Sequence, residues 1–218
     1  MSQIKLKHSG GNSSIIAAPS SNPASDVTFR LPNADGSAGQ FMKTDGSGNL
    51  AFAAISGGLA MADQWRYTAE FTQSNTSNYL ATTNSWERPD SKLGINSNPL
   101  GTGMTQSGGI FTFPSTGYYF IFFHGLAKVD NDSCETSVFI RATENNSSYD
   151  NVARSLFTIA NQCTPNYAAN SISYLARVTD ISNYKIQFRV SNSGISVTWM
   201  GETSENRIAA TFLKLGDI

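Results

Sequence analysis

Two histidines and two cysteines in 218 residues leave little reactive chemistry to place. His8 sits in a polar N-terminal stretch and His124 ends an apolar run, where a lone histidine is more often a buried or edge residue than a base. The sequences G-x-S-x-G, H-E-x-x-H and the phosphate-cradling Walker pattern are all missing. Glu202 and Glu205 come nearest to the carboxylate pair of a glycosidase. They lie among Gly, Thr, Ser and Asn, which reads as a solvated loop. Asp130-Asn131-Asp132 presents the close hard oxygens that calcium prefers, and is also the composition of an ordinary turn. Two cysteines and two distant histidines do not make zinc spacing. We therefore read the chain as a non-enzyme, with no cofactor and no metal.

What remains is an architecture that presents surface. Fifteen basic residues against sixteen acidic ones give a net charge of −1, so no basic face is expected to displace phosphate counterions and nucleic acid is excluded as a partner. The longest apolar run, Tyr118 to Phe123, is six residues, against the roughly 18 of a membrane helix, so no membrane insertion is expected. The opening MSQIKLKHSGG has no apolar core of a secretory signal. Charged residues make up only 14% of the chain, while Ser, Thr, Asn, Gly and aromatics abound, a balance that favours short strands and polar turns over surface helices. The fold class expected is all-β.

The texture changes near residue 60. Residues 1–55 are turn-rich, with short alternating fragments: Ile4 and Leu6, then Val27, Phe29 and Leu31. Thr44-Asp-Gly-Ser-Gly-Asn49 is a hairpin loop between Phe41-Met42 and Leu50/Phe52. So few large apolar groups cannot form an independent core. The segment is either a disordered polar tail or an arm ordered by other chains, and the period-two alternation favours the arm. Residues 56–63 read as a linker. From residue 64 to 218 the sequence reads as a β-sandwich of about ten strands, with Trp65–Phe71 as its first strand and Ile208–Leu215 as its last.

One hairpin can be placed in register from apolar matching. Pairing Val138 with Ile159 and Ile140 with Phe157 across a turn at 145–150 puts apolar against apolar on one face. The same register sets Cys134 opposite Cys163, as a disulfide or as two small neighbouring thiols.

Tyr118–Phe123 is apolar on both faces, whereas a strand of an antiparallel sandwich should alternate. Ile208, Phe212, Leu213 and Leu215 lean the same way. Two such strands would leave a large apolar patch on a monomer, which soluble monomers avoid. We expect burial between subunits, with Tyr118, Tyr119, Ile121, Phe123 and Phe212 at the interface.

The segment Gly109-Ile-Phe-Thr-Phe-Pro-Ser-Thr-Gly-Tyr-Tyr-Phe120 resembles the F-x-x-P-x-x-G-x-Y-x-F turn of the tumour necrosis factor and complement globular-head superfamily, and Ala210-Thr-Phe-Leu-Lys-Leu215 resembles that family's last strand. The resemblance implies a ten-stranded jelly roll that assembles as a homotrimer. Asp26-Val-Thr-Phe-Arg-Leu-Pro32, followed by Ala38-Gly-Gln-Phe-Met-Lys-Thr-Asp-Gly-Ser-Gly-Asn-Leu50, is similar to a segment of fibre and other virion proteins of tailed phages, notably marine ones. It implies a virion surface protein, assembled in the host cytoplasm. Such a protein is a capsid decoration protein or a short fibre, with Ile4, Leu6, Val27, Phe29 and Leu31 attaching it to other virion proteins. The alternative is a receptor-binding head gripping a host glycan or protein, for which Trp86 and Trp199 are the candidate stacking residues.

Overall fold

The computed structural model describes residues 3–17, 19–54, 58–74, 76–78, 80, 85–90, 98–129, 134–159, 165–194 and 196–218. Contacts divide the chain into two units, residues 1–57 and 58–218. Among the described residues there is no helix long and apolar enough to cross a membrane.

The first unit consists of two separate hairpins, β1 (Gln3–Lys7) with β2 (Ser13–Ala17) and β3 (Gln40–Thr44) with β4 (Leu50–Ala54). Polar side chains shape both turns. His8 Nδ1 accepts the Gly10 N–H at 3.0 Å in the first. In the second, Asp45 Oδ1 accepts from Ser47 N at 2.8 Å and Asn49 N at 3.1 Å, while Gly46 and Gly48 take positive φ. The Asn49 side chain, which donates to Asp45 Oδ2, and then those backbone bonds hold the Asp45 carboxyl below the usual carboxylate range. Arg30 bridges to Asn49, docking the preceding segment on the hairpin. No described residue of this unit with an assigned exposure is buried.

The second unit is a sandwich of two antiparallel sheets. Its strands are β5 (Met61–Tyr67), β6 (Glu70–Ser74), β7 (Ser77–Asn78), β8 (Trp86–Glu87), β9 (Thr105–Ser107), β10 (Ile110–Thr112), β11 (Gly117–Val129), β12 (Cys134–Thr143), β13 (Asp150–Ile159), β14 (Asn166–Val178), β15 (Lys185–Ser193), β16 (Ser196–Met200) and β17 (Ile208–Gly216). One sheet runs β13-β12-β15-β10-β9, with β7 on β15. The other runs β14-β11-β17-β5-β8, with β16 and then β6 alongside the far end of β11. The chain crosses between sheets at β6–β7, β7–β8, β8–β9, β10–β11, β11–β12, β13–β14, β14–β15 and β15–β16, and β17 returns between β11 and β5. That path is a jelly roll.

The Phe-Pro-Ser-Thr-Gly motif makes the crossing between β10 and β11. Gly117 has φ +146°, and a Cβ there would lie 2.5 Å from the Gly216 carbonyl oxygen, so only glycine fits. Tyr119 Oη donates to the Ser115 carbonyl at 2.9 Å and fastens the turn. Between the sheets, Phe111 meets Trp65, Trp86, Phe188 and Phe212 at centroid distances of 5.2–5.7 Å, and Phe123 stacks on Phe188 at 4.5 Å.

The stretch expected to run as one strand from Trp65 to Phe71 is two. β5 pairs with β17 and β6 with β16, broken at Thr68–Ala69, where Thr68 N–H donates to the Ser85 carbonyl at 2.7 Å. β5 also begins at Met61, inside the stretch read as linker, with Met61 and Asp63 both buried. Asp63 is the polar pin of this region. Its carboxylate takes Arg88 Nε at 2.9 Å and Nη2 at 3.0 Å, Trp65 Nε1 at 3.0 Å and the Met104 N–H at 2.8 Å. On the opposite face of β5, buried Arg66 pairs with Glu87 and Asp90, each at 2.7 Å.

The hairpin register differs from the apolar-matching expectation. Val138 faces Ser155 and Ile140 faces Ala153, four residues away from the expected pairing. The turn decides it. Asn146 takes a left-handed φ of 52° and the Asn145 Oδ1 accepts from Ser147 N and Ser148 N, both at 2.9 Å, centring the turn two residues earlier than expected. Up to Ile140 the slip is even and keeps the side chains on their expected faces, and a bulge between Ile140 and Arg141 shifts the pairing by one further residue near the turn. Cys134 stands opposite Ile159 on the ladder, so the register that set it against Cys163 does not hold. Cys163 itself lies outside the described residues, as do Asp130, Asn131 and Asp132.

Candidate interaction surfaces

β11 alternates strictly, so its two apolar rows have separate destinations. Tyr119, Ile121 and Phe123 are wholly buried inside the sandwich of a single chain, as is Phe212 on β17. These four face the core and offer nothing to a partner, which corrects their assignment to an interface. The row that does face outward is Tyr118, Phe120 and Phe122, with Leu213 beside Phe120 on one flank and Leu175 on the other. Leu175 is 58% exposed and Leu215 54%, so the outer face of this sheet is an open apolar surface. From sequence both rows stood as interface candidates, because they are equally apolar, and packing turns only Tyr118, Phe120 and Phe122 outward.

A second apolar surface lies at one edge. Among the described residues β13 pairs along the backbone ladder with β12 alone and β14 with β11 alone, so each is the end strand of its sheet. Leu156 and Phe157 on β13 and Tyr167 on β14 are 45–55% exposed there. Exposed apolar side chains on an end strand are a ready template for pairing with another chain.

The first unit shows the same property throughout. Ile4 and Leu6 on β1, and Val27, Phe29 and Leu31 in the irregular segment before β3, are 62–75% exposed. All five expected attachment residues are thus available at the surface.

The expected stacking tryptophans are not available. Trp199 is fully buried against Gly125, where an added Cβ would come within 3.1 Å of the indole. Trp86 is buried too, its Nε1 donating to the Leu80 carbonyl at 2.7 Å. Core aromatics and binding aromatics have the same sequence signature, and only packing separates them. Glu202 and Glu205 both face Arg207, at 3.8 and 3.0 Å, and Glu202 also accepts the Thr203 and Ser204 N–H groups. The bonds from Ser204 and Thr203 hold its carboxyl low and brace the loop. His124 Nε2–H donates to the Asn206 carbonyl at 2.7 Å, on the outer sheet face beside Phe122. Among the described residues no three His, Cys, Asp or Glu side chains converge on a common point.

One concave site was not anticipated from sequence. A cleft of about 310 Å³ opens between the β12–β13 hairpin and the turn before β15. Ala142 and Val152 line its apolar part, Tyr174 and Tyr184 one wall, and Glu144, Asn145, Ser148 and Asp150 its polar side. Its two loops are braced. Asn146 N–H donates to the Asn183 carbonyl at 3.0 Å, and Asp180 accepts Ser182 N–H at 2.8 Å and Asn183 Nδ2 at 2.7 Å. These bonds, with a smaller pull from Lys185, hold the Asp180 carboxyl below its usual range. Tyr184 and Tyr174 share a hydroxyl–hydroxyl bond of 3.2 Å. Burial, then that bond and the nearby Glu144 charge, push the Tyr184 phenol far above its ordinary value.

No protein-family model and no curated protein matches the chain. Among solved structures it is similar to Eiger TNF from S. frugiperda, with 13% identity over 72% of this chain and 93% of that one and a TM-score of 0.48. It is also similar to murine APRIL at pH 5.0, with 11% identity over 71% and 98% of the two chains and a TM-score of 0.47.

Proposed function

We propose that the chain is a non-enzymatic homotrimeric head-and-arm protein of a virion surface, in which residues 58–218 assemble with sister heads and residues 1–57 attach to other virion proteins of a tailed phage. The observation that carries the assembly is that one domain exposes two different apolar surfaces, the outer face of β11 with its neighbours and the β13–β14 edge. Two unlike patches that fit each other make a head-to-tail contact, and such contacts close into rings. The number three comes from the resemblance of the Gly109–Phe120 motif. The virion setting comes from the resemblance of the Asp26–Leu50 segment, and the coreless, apolar arm suits attachment to a larger body. Capsid decoration and short fibre are both accommodated, and a particle image places the protein on the lattice or the tail.

Light scattering on the full chain tests the assembly. The wild type runs at three times the 23.5 kDa chain mass. Phe122→Asp, which puts an unpaired charge into the outer face, runs as a folded monomer. A soluble wild-type monomer refutes the assembly.

A receptor-binding head is the second reading, favoured by the braced cleft beneath the β12–β13 hairpin.

A further inference from the structure

We propose that the cleft between the β12–β13 hairpin and the turn before β15 is a saccharide-binding site, taking adjacent sugar hydroxyls on the Glu144 and Asp150 carboxylates and on the Tyr174–Tyr184 phenol pair. This deepens the receptor-binding reading and rests on it for its biological meaning, while the chemistry stands on the cleft alone.

The hydrogen-bonding inventory of the cleft selects the ligand. Asn145 is already committed. Its Oδ1 accepts from Ser147 N, Ser148 N and Thr143 Oγ1, and its Nδ2 donates to Ser148 Oγ at 2.9 Å. The carboxylates of Glu144 and Asp150 form no ion pair, and no cationic side chain lines the cleft among the described residues. The two phenols carry two protons, and their mutual bond uses one. The other stays on one of the two hydroxyls in the cleft wall, beside the buried Tyr184, where a ligand oxygen can accept it.

The cleft therefore offers strong acceptors and one sheltered donor. An ammonium or guanidinium ligand only donates, and leaves the phenolic proton unmet. A phosphate or carboxylate ligand meets two like charges. A sugar hydroxyl both donates and accepts, neighbouring hydroxyls can engage one carboxylate through charge-assisted bonds, and the C–H face of the ring suits Ala142, Val152 and the Tyr174 ring. A volume of about 310 Å³ suits one terminal sugar rather than an internal stretch of chain. The bracing of both loops by Asn145, Asn146 and Asp180 means little order is lost on binding.

The test uses the full chain with methyl glycosides of glucose, galactose, mannose and N-acetylglucosamine as probes, followed by saturation-transfer NMR and calorimetry. At least one glycoside binds, with a dissociation constant on the order of millimolar. Glu144→Gln and Asp150→Asn, both at exposed positions, each weaken it about tenfold by removing charge assistance. Tyr174→Phe weakens it further, with the thermal midpoint followed in parallel. No binding by any probe overturns the proposal. So does binding that all three variants leave unchanged, or binding of spermine or calcium at this cleft in place of sugar. The mass of the wild type by light scattering separates the two levels. No sugar binding by an intact wild-type trimer counts against the cleft alone, whereas sugar binding by a monomer counts against the head assembly alone.

Discussion

Replacing Asp63 by alanine isolates the polar pin of the head. The carboxylate is 1% exposed and takes two bonds from Arg88, one from the Trp65 indole and one from the Met104 backbone, all between 2.8 and 3.0 Å. Alanine leaves two buried neutral donors unmet, each costing about 1–3 kcal/mol, and strands a guanidinium. That guanidinium is 25% exposed at the side chain, so water recovers part of its share. Breaking a buried pair from one side costs about 3–5 kcal/mol in comparable cases, and about 4 kcal/mol is expected here. For a domain of this size about 2–4 °C accompanies each kcal/mol, so the midpoint falls by roughly 8–16 °C. Urea denaturation followed by tryptophan fluorescence reads it directly, because Trp65, Trp86 and Trp199 are all buried. Arg88→Ala should also destabilise, and the double variant should fall short of the sum by about 1–3 kcal/mol because the two side chains share one network. A loss below about 1 kcal/mol for Asp63→Ala, or strict additivity with Arg88→Ala, would refute a shared buried network.

Gly117→Ala should destabilise the head by about 1–3 kcal/mol, since a Cβ collides with the Gly216 carbonyl at a left-handed position; chemical denaturation measures it. Tyr184 should stay un-ionised while exposed tyrosines titrate near pH 10, giving a missing step in the ultraviolet titration. Its folded value is raised, so the stability it contributes is complete below about pH 10 and is lost as pH climbs further. Asp180 behaves oppositely. Its folded value is lowered, so its contribution is complete above the ordinary carboxylate range and disappears as pH falls through the folded value, which NMR titration locates below 3.8. Removal of residues 1–57 should leave the head trimeric by light scattering and unable to join particles, and normal incorporation of the armless chain would contradict the role given to the arm.

Composition and periodicity by themselves determined the all-β class, most of the strands and their inward faces. Ile186, Phe188 and Val190 point into the core as their alternation requires, because a period of two leaves a strand only one choice of buried face. The Phe-Pro-Ser-Thr-Gly turn was legible for the same kind of reason, since its demands on φ and on close approach are local. Three matters were decided only in three dimensions. The hairpin register followed the Asn145–Asn146 turn rather than apolar matching, because turn geometry sets the register wherever an end strand has only one bonded neighbour to satisfy. The choice between the two apolar rows of β11 depended on which side the second sheet covers, and both rows read alike along the chain. The cleft and the Asp63 network gather residues from segments up to about 40 positions apart, such as Glu144 with Tyr184 and Asp63 with Met104. No local spacing encodes such a meeting, because it is made by strands crossing from one sheet to the other.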